Sequence, residues 1–168
     1  MIIVDDYETK LFIFAYCKFL KIKIKREDIV YIGDKIDNII EYIMKDTNSK
    51  FKFLLNSKNL NKDTISNNIK QQIGEILFKK CEIFIFPNDI ENGNIDLLIE
   101  KIAGDKNLWD ICKEFITKLN TELKKEHSIL RTYLIYYDSK AKTEIKLIEE
   151  HFNLESEHLI PLKEFLLK

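Results

Sequence analysis

The chain has 168 residues, the usual size of a single domain, and its 45% hydrophobic content is enough for an apolar core without disulfides or metals. The 27 basic and 28 acidic residues nearly cancel, which leaves a net charge of -1. This balance excludes recruitment of nucleic acid by an overall positive field, so any such contact must come from a local patch.

The cysteine content indicates a reducing compartment, and the hydropathy indicates that the chain does not cross a membrane. Cys17, Cys81 and Cys112 are odd in number and far apart, which argues against a disulfide framework or a zinc site. We expect reduced, mostly buried thiols. The sequence contains no apolar run long enough for a membrane span, and its first residues lack the basic start of a signal peptide. We therefore expect a cytoplasmic protein with no membrane partner.

Short apolar segments alternate with longer amphipathic ones over roughly the first hundred residues. The predicted strands are residues 1–4, 28–32, 51–55 and 82–86. The predicted helices are residues 8–20, a segment after Gly33, residues 63–80 and residues 95–103. This alternation predicts βαβ units and therefore an α/β fold. We expect a mainly parallel four-stranded sheet with helices on both faces, because right-handed crossovers bury such a sheet on both sides.

The remaining third of the chain is predicted to be helical. Residues 108–125 place a set of apolar side chains on one side: Leu108, Ile111, Cys112, Phe115, Ile116 and Leu119. Residues 128–137 suit a helix or a strand, and we favour a helix. Residues 144–152 are also helical, and Pro161 suits the first turn of a last helix. We expect one domain over residues 1–168, with a core of about 1–104 and a helical extension of about 105–168 packed on the sheet.

Polar residues follow each predicted strand, at the edge where open parallel sheets bind ligands. They are Asp5 and Asp6, then Gly33 and Asp34, then Asn56, Ser57 and Lys58, then Asn88 and Asp89, with Asp96 in the helix that follows. Converging carboxylates there would suit Mg²⁺, which prefers oxygen ligands. Asp is also a preferred helix N-cap, and capping is the commoner role for Asp6, Asp34 and Asp63; Thr64 is an alternative cap to Asp63.

Four segments carry a resemblance to a known family. They are IIVDDYETKLF (residues 2–12), FKFLLNSKNLNKDT (51–64), FIFPNDIENGNIDLLIEKI (84–102) and LIPLKEFL (159–166). The first three segments and the order of elements resemble topoisomerase–primase (Toprim)-like families that include the nuclease domain of overcoming-lysogenization-defect proteins. All four segments are similar to a small family of stand-alone Toprim-like proteins of bacteria and archaea, and the first three are more similar to this family than to the wider group. The resemblance spans nearly the whole chain and implies a Toprim-like fold.

The resemblance also implies site residues. Asp5 stands where the family has a Glu that acts as general acid/base, Asp6 stands at a Gly, and Asp96 stands at a Glu. An active site of this type would use Asp5, Asp6 and Asp89 for catalysis and Asp5, Asp89 and Asp96 for Mg²⁺. The family's D-x-D metal motif reads Asn56-Ser57-Lys58 here, however.

The altered motif predicts weak or absent Mg²⁺ binding and no other cofactor. Asn56 is a weaker metal ligand than a carboxylate, and the Lys58 ammonium, if it points inward, replaces the cation by pairing with Asp5 or Asp89. We therefore expect a non-catalytic binding or regulatory module whose partner is a nucleic acid or a protein. A homodimer is the default expectation, because two-fold assemblies are the commonest homo-oligomers.

Two other functions remain open from the sequence. One is a divergent Mg²⁺-dependent nuclease or phosphotransfer enzyme that uses Asp5, Asp6, Asp89 and Asp96. The other is a receiver-like or flavodoxin-like interaction domain, in which Asp5 and Asp6 would match a receiver's acidic pair. A receiver needs a phosphorylatable Asp at the end of its third strand, and Asn56 in that place counts against this interpretation.

A basic run at residues 18–26 is the one local candidate for nucleic-acid binding. Its charged members are Lys18, Lys21, Lys23, Lys25 and Arg26, and they alternate with apolar residues. Such a run can contact phosphates. It is more often a solvated helix end followed by a strand edge that lysines protect from pairing.

Overall fold

The computed structural model describes residues 1–33, 43, 49–57, 59–123, 128–137 and 143–168. It confirms the predicted α/β fold with a four-stranded, all-parallel sheet in the order β2-β1-β3-β4. The strands are β1 (Ile2–Val4), β2 (Ile29–Tyr31), β3 (Phe51–Asn56) and β4 (Cys81–Phe86). Each lies within two residues of its predicted position.

Eight α-helices are found in the described ranges. They are α1 (Tyr7–Phe19), α2 (Lys62–Ile73), α3 (Glu75–Phe78), α4 (Ile95–Ile102), α5 (Lys106–Leu123), α6 (Ile129–Tyr136), α7 (Glu144–His151) and α8 (Ile160–Leu167). The helical assignment of residues 128–137 is confirmed, and Pro161 lies in the first turn of α8 as expected. Within the described residues, no helix is long and apolar enough to span a membrane.

The prediction of one continuous helix over residues 63–80, capped by Asp63 or Thr64, is wrong in two respects. Its N-cap is Asn61, whose side-chain oxygen accepts a hydrogen bond from the Thr64 backbone N–H, while Asp63 lies in the first turn. The helix also breaks at Gly74, which has φ 80°, so that α3 is separate from α2. Glycine alone adopts this backbone conformation without a steric cost.

The sheet is buried on both faces by two distinct apolar clusters. On one face, Ile2 and Val4 of β1 pack with α1, α4 and the C-terminal helices. On the other, Ile3 of β1 packs in a cluster that includes the buried side chains of α2, such as Ile65 and Ile69. Alternate residues of each strand enter opposite clusters, as the pleat of a β-strand requires.

Helix α1 is buried nearly all round because the sheet covers one side of it and α7 contacts it as well. Its fully buried residues include Leu11, Phe12 and Ala15. Cys17 in α1 and Cys112 in α5 are buried free thiols, whereas Cys81 is half-buried. Side chains from the C-terminal extension belong to the same cluster as β1 and α1, which fits the expectation that it packs on the core.

The predicted buried face of α5 is confirmed at two positions and wrong at two. Cys112 and Ile116 are buried as expected, whereas Ile111 and Phe115 are 64% and 56% exposed. Trp109, which the predicted face did not include, is fully buried. The Trp109 ring lies 5.5 Å from the Tyr133 ring and 6.3 Å from the Phe152 ring, measured between centroids. Burying this large indole removes more apolar surface from water than burying Ile111 or Phe115 would. Trp109 therefore determines which side of α5 faces the core.

Two of the predictions fall outside the described residues. The helix after Gly33, with its proposed cap Asp34, is one of them. Ile43, in the same segment, is described and is fully buried. The second is Lys58 in the strand-three motif.

Candidate functional site

From β1 the chain continues to β2 on one side of the sheet, and from β3 it continues to β4 on the other side. The connections that leave these two neighbouring strands therefore diverge, and a crevice lies between their carboxyl ends. Open α/β sheets bind ligands at such a point. An open cavity of about 850 Å³ lies there, lined by residues 5–8, 31, 56, 57, 59, 93–97, 120 and 128. We call it the carboxyl-edge cavity.

Three of the described helices begin at this cavity, and each begins with a side-chain cap. Asp6 accepts a hydrogen bond from the Thr9 backbone N–H in α1, so the predicted capping role of Asp6 is confirmed. Asn94 caps α4, and Ser128 caps α6 by accepting from the Arg131 backbone N–H. Helix N-termini carry partial positive charge, which stabilises negative groups nearby. Part of the acidic character of the cavity therefore has a structural cause.

Asn56 joins the two strands and α4 at the centre of the cavity. Its Nδ2 donates to Asp5 Oδ1 at 3.1 Å and to Asp6 Oδ2 at 2.5 Å, and its backbone N–H donates to Asp5 Oδ2 at 3.0 Å. Its Oδ1 accepts from the Ile95 backbone N–H at 2.8 Å. An amide thus stands between two carboxylates, with both its donor and its acceptor used.

Ser57 also positions the site, a role that its sequence position alone does not indicate. Its side chain is buried, and its Oγ donates to the Gly93 carbonyl at 3.0 Å and accepts from the Gly93 N–H at 2.7 Å. A Cβ at Gly93 would lie only 2.5 Å from a Leu97 methyl group, so the loop passes α4 closely. The only sequence signal for this link is the place of Ser57 directly after a strand.

Asp96 is an acid of the cavity whose pKa is strongly shifted. Burial, together with the negative charges of Asp6 and Glu8, raises its pKa to about 6, and Lys113 opposes the shift. Within the described part of the chain, its carboxylate accepts no hydrogen bond. Desolvated carboxyls with raised pKa values are typical of functional sites, because pairing and capping usually lower the pKa.

Asp89 lies after β4 but does not line the cavity. Its Oδ2 is 2.5 Å from Lys62 Nζ, and its Oδ1 accepts from the Ile85 backbone N–H at 3.0 Å. The structure therefore brings Asp5, Asp6, Asn56 and Asp96 to one cavity and turns Asp89 toward α2. The catalytic and metal roles assigned to these residues stay predictions.

The described side chains at the cavity are not arranged as a set of metal ligands. In the ranges that the structure covers, no group of three or more His, Cys, Asp or Glu side chains is arranged to hold a metal ion. The oxygens of Asp5 and Asp6 accept hydrogen bonds from an amide, which is a donor that a cation would have to displace.

The basic run is exposed along its length. Lys18, Lys21, Lys23, Lys25 and Arg26 all reach solvent, while Ile22 and Ile24 between them are half-buried against the core. Lys18 lies in the last turn of α1, and the other four residues lie between α1 and β2 and belong to no described strand. The predicted strand edge is therefore not found at this run. The phosphate-binding role of these five residues stays a prediction.

A cluster of guanidinium groups borders the cavity. The chain has two arginines, Arg26 and Arg131, and both contact Tyr7, which lines the cavity. The Arg131 Cζ lies 4.5 Å from the Tyr7 ring centroid, and Arg26 Nη2 donates to Tyr7 Oη at 2.5 Å. Arg131 Nε also lies 3.5 Å from Glu8 Oε1. We call Tyr7, Arg26 and Arg131 the arginine–tyrosine cluster.

Comparison with known proteins adds no relative. No family model, no curated protein and no solved structure matches this chain. The Toprim-like resemblance therefore rests on the quoted sequence segments.

Proposed function

We propose that this chain is a Toprim-like binding or regulatory module whose carboxyl-edge cavity works without a divalent metal and without catalysis. The observation that carries the proposal is the Asn56 amide, which donates to both Asp5 and Asp6. Its N–H groups lie where a Mg²⁺ ion shared by two carboxylates would bind. The module acts in the cytoplasm, in keeping with its free thiols, on a nucleic-acid or protein partner.

A metal would have to displace this amide at a considerable cost. Rotating the Asn56 side chain breaks two hydrogen bonds to carboxylates and leaves the Ile95 N–H without its acceptor. Hydrogen bonds to charged groups contribute about 1.5–3 kcal/mol each. Mg²⁺ also gives up its water shell reluctantly. The protein therefore satisfies the two acids internally.

The direct test is a calorimetric titration with Mg²⁺ and Mn²⁺, together with a cleavage assay on single- and double-stranded DNA and RNA. We expect no micromolar affinity and no cleavage. The Asn56→Asp variant replaces the two N–H donors by a third negative charge. We expect it to be less stable in EDTA by about 2–3 kcal/mol and to regain stability with Mg²⁺.

Asn94→Asp is the matched control for that variant. It adds the same charge to the same cavity, but at a cap position where Asp and Asn are equally good. We expect its stability to respond little to Mg²⁺. Micromolar Mg²⁺ affinity of the unaltered protein, or cleavage that Asp5→Asn abolishes, would instead establish the divergent nuclease.

The strand order favours a second candidate. The order β2-β1-β3-β4 is that of the first four strands of flavodoxin-like sheets, and in that class the same crevice binds ligands or partners. Folds of this class host many functions, so the order supports the location of the site more than its chemistry. Light scattering will show whether a homodimer forms.

A further inference from the structure

We propose that the arginine–tyrosine cluster binds the phosphate group of a ligand whose remaining part enters the carboxyl-edge cavity. The inference rests on the proposed function, since it names the ligand class of the same cavity. It assigns phosphate recognition to Arg26 and Arg131, with Tyr7 holding both guanidinium groups at the margin.

The geometry leaves hydrogen-bond donors free for an anion. Arg131 faces the Tyr7 ring and meets Glu8 through Nε, so in the described part of the chain its two Nη groups have no partner. Arg26 uses Nη2 on the Tyr7 hydroxyl, at 2.5 Å. Two planar guanidinium groups offer more donors than one carboxylate accepts, and they suit the three terminal oxygens of a phosphate monoester.

Three cations, Lys10, Arg26 and Arg131, lie on this side of α1 together with Glu8 and Glu27. Lys10 follows Tyr7 by one helical turn and so lies on the same face of α1. The pKa of Lys10 is lowered by burial and by the nearby charge of Arg26, and Glu27 opposes the shift. The first turn of α6, which contains Arg131, adds the positive end of a helix whose cap lines the cavity. A bound anion would relieve this crowding.

The cavity interior selects the other half of the ligand. Asp6, Glu8 and Asp96 would repel a phosphate from the interior, but they accept hydrogen bonds from hydroxyl and amino groups. Its volume of about 850 Å³ falls in the range of small-molecule pockets, roughly 300–1,000 Å³. The expected ligand therefore has a phosphate at the margin and hydroxyl or amino groups in the interior. A nucleotide, either free or at the end of a nucleic-acid strand, has both.

The experiment titrates the protein in EDTA with adenosine 5′-monophosphate, adenosine, inorganic phosphate and a single-stranded oligonucleotide. We expect the monophosphate to bind more tightly than adenosine. Arg26→Gln and Arg131→Gln should each weaken monophosphate binding about tenfold and leave adenosine binding unchanged. Lys163→Gln, an exposed lysine of α8, removes the same charge elsewhere and serves as the matched control.

Two further variants keep the test decisive if an arginine variant folds poorly. Tyr7→Phe removes the hydroxyl that accepts from Arg26 but keeps the ring, and should weaken monophosphate binding by a few-fold. Arg131→Lys keeps the charge and loses the planar fork, so it should bind more weakly than the unaltered protein and more tightly than Arg131→Gln.

The oligonucleotide distinguishes the two sources of phosphate. Tighter binding than the monophosphate, with a steep salt dependence and sensitivity to Lys21→Gln and Lys23→Gln, would identify a nucleic-acid strand. Binding no tighter than the monophosphate would identify a free nucleotide. Equal affinity for monophosphate and adenosine, no binding of any probe, or arginine variants that behave like Lys163→Gln would overturn the proposal. None of these outcomes depends on metal, so the proposed metal independence is tested separately.

Discussion

At the amino end of the sheet a lysine meets the C-terminal end of helix α8, whereas at the carboxyl end acidic side chains meet the N-terminal ends of α1, α4 and α6. Lys52 Nζ donates to the carbonyls of Phe165 and Leu166 at 2.8 and 3.1 Å. Burial is the main influence on the Lys52 pKa and lowers it, while Glu82 opposes the shift. This half-buried charge has direct partners, and its role is structural.

The carboxyl end has the same complementarity of charge and helix end, but one of its described acids, Asp96, has no hydrogen-bond partner among the described residues. Asp6 is used as a cap and Asn56 joins Asp5 to Asp6, yet the half-buried carboxylate of Asp96 lies near the negative charges of Asp6 and Glu8. A group that destabilises the fold in this way is expected where a ligand binds. By this contrast, Lys52 at the amino end makes a structural contact, whereas Asp96 at the carboxyl end is a candidate functional residue.

The largest effect should come from breaking the amino end. Lys52→Met keeps most of the apolar stem and removes the ammonium that binds two carbonyls of α8. Because both carbonyls lose a charged donor, we expect the free energy of unfolding to fall by about 2–3 kcal/mol in urea titrations. Lys50→Met, at an exposed position just before the same strand, is the control and should change it by less than about 0.5 kcal/mol. Equal effects of the two variants would contradict the structural role.

A smaller loss is expected from loosening the carboxyl end. Ser57→Ala removes a buried hydroxyl that both donates to and accepts from Gly93. We expect a loss of about 1–2 kcal/mol, because the Gly93 backbone groups lose a partner. Ser66→Ala, on α2 and half-buried, is a control without that link. Amide signals of Asn94 and Ile95 should shift in NMR spectra of Ser57→Ala, and their constancy would show that Ser57 does not position α4.

The comparison also shows what the sequence can predict. Strand positions follow from apolar segments bounded by polar residues, and parallel topology then places every strand end on one edge. For that reason Asp5, Asp6 and Asn56 could be expected to meet. Local chemistry similarly identified Asp6 as a cap.

Side-chain direction and long-range contacts were not predictable in the same way. Asp89 has φ 70°, a conformation that no local pattern required, and it turns its carboxylate to Lys62. Trp109 of α5 is buried against Tyr133 while Ile111 and Phe115 are exposed, and this depends on a tertiary contact between distant residues. Arg26 could be singled out as part of the basic run, but the approach of Arg131 to Tyr7 joins distant parts of the chain and could not be predicted from either segment.

The most specific prediction concerns Asp96, because its substitution is expected to stabilise the protein, whereas Lys52→Met and Ser57→Ala are expected to destabilise it. The folded pKa of about 6 lies above the value of 3.8 for an unperturbed Asp. The unfolded chain therefore binds fewer protons between these values, and the folding penalty grows as pH rises and is complete above about pH 6. Asp96→Asn removes the charge, and we expect it to stabilise the protein by about 1–2 kcal/mol at pH 7.5. The gain should disappear as the pH falls toward 4.

Asp63→Asn is a matched control for this variant, because Asp63 holds the same position in α2 as Asp96 holds in α4. Asp63 is exposed, so neutralising it loses only the favourable interaction with the helix end, about 0.3–1 kcal/mol in the opposite direction. Denaturant titrations of both variants at several pH values provide the measurement. If Asp96→Asn behaved like Asp63→Asn, Asp96 would be an ordinary first-turn acid. The carboxyl end of the sheet would then be as well satisfied as the amino end, and the physical reason for placing a ligand beside Asp96 would be lost.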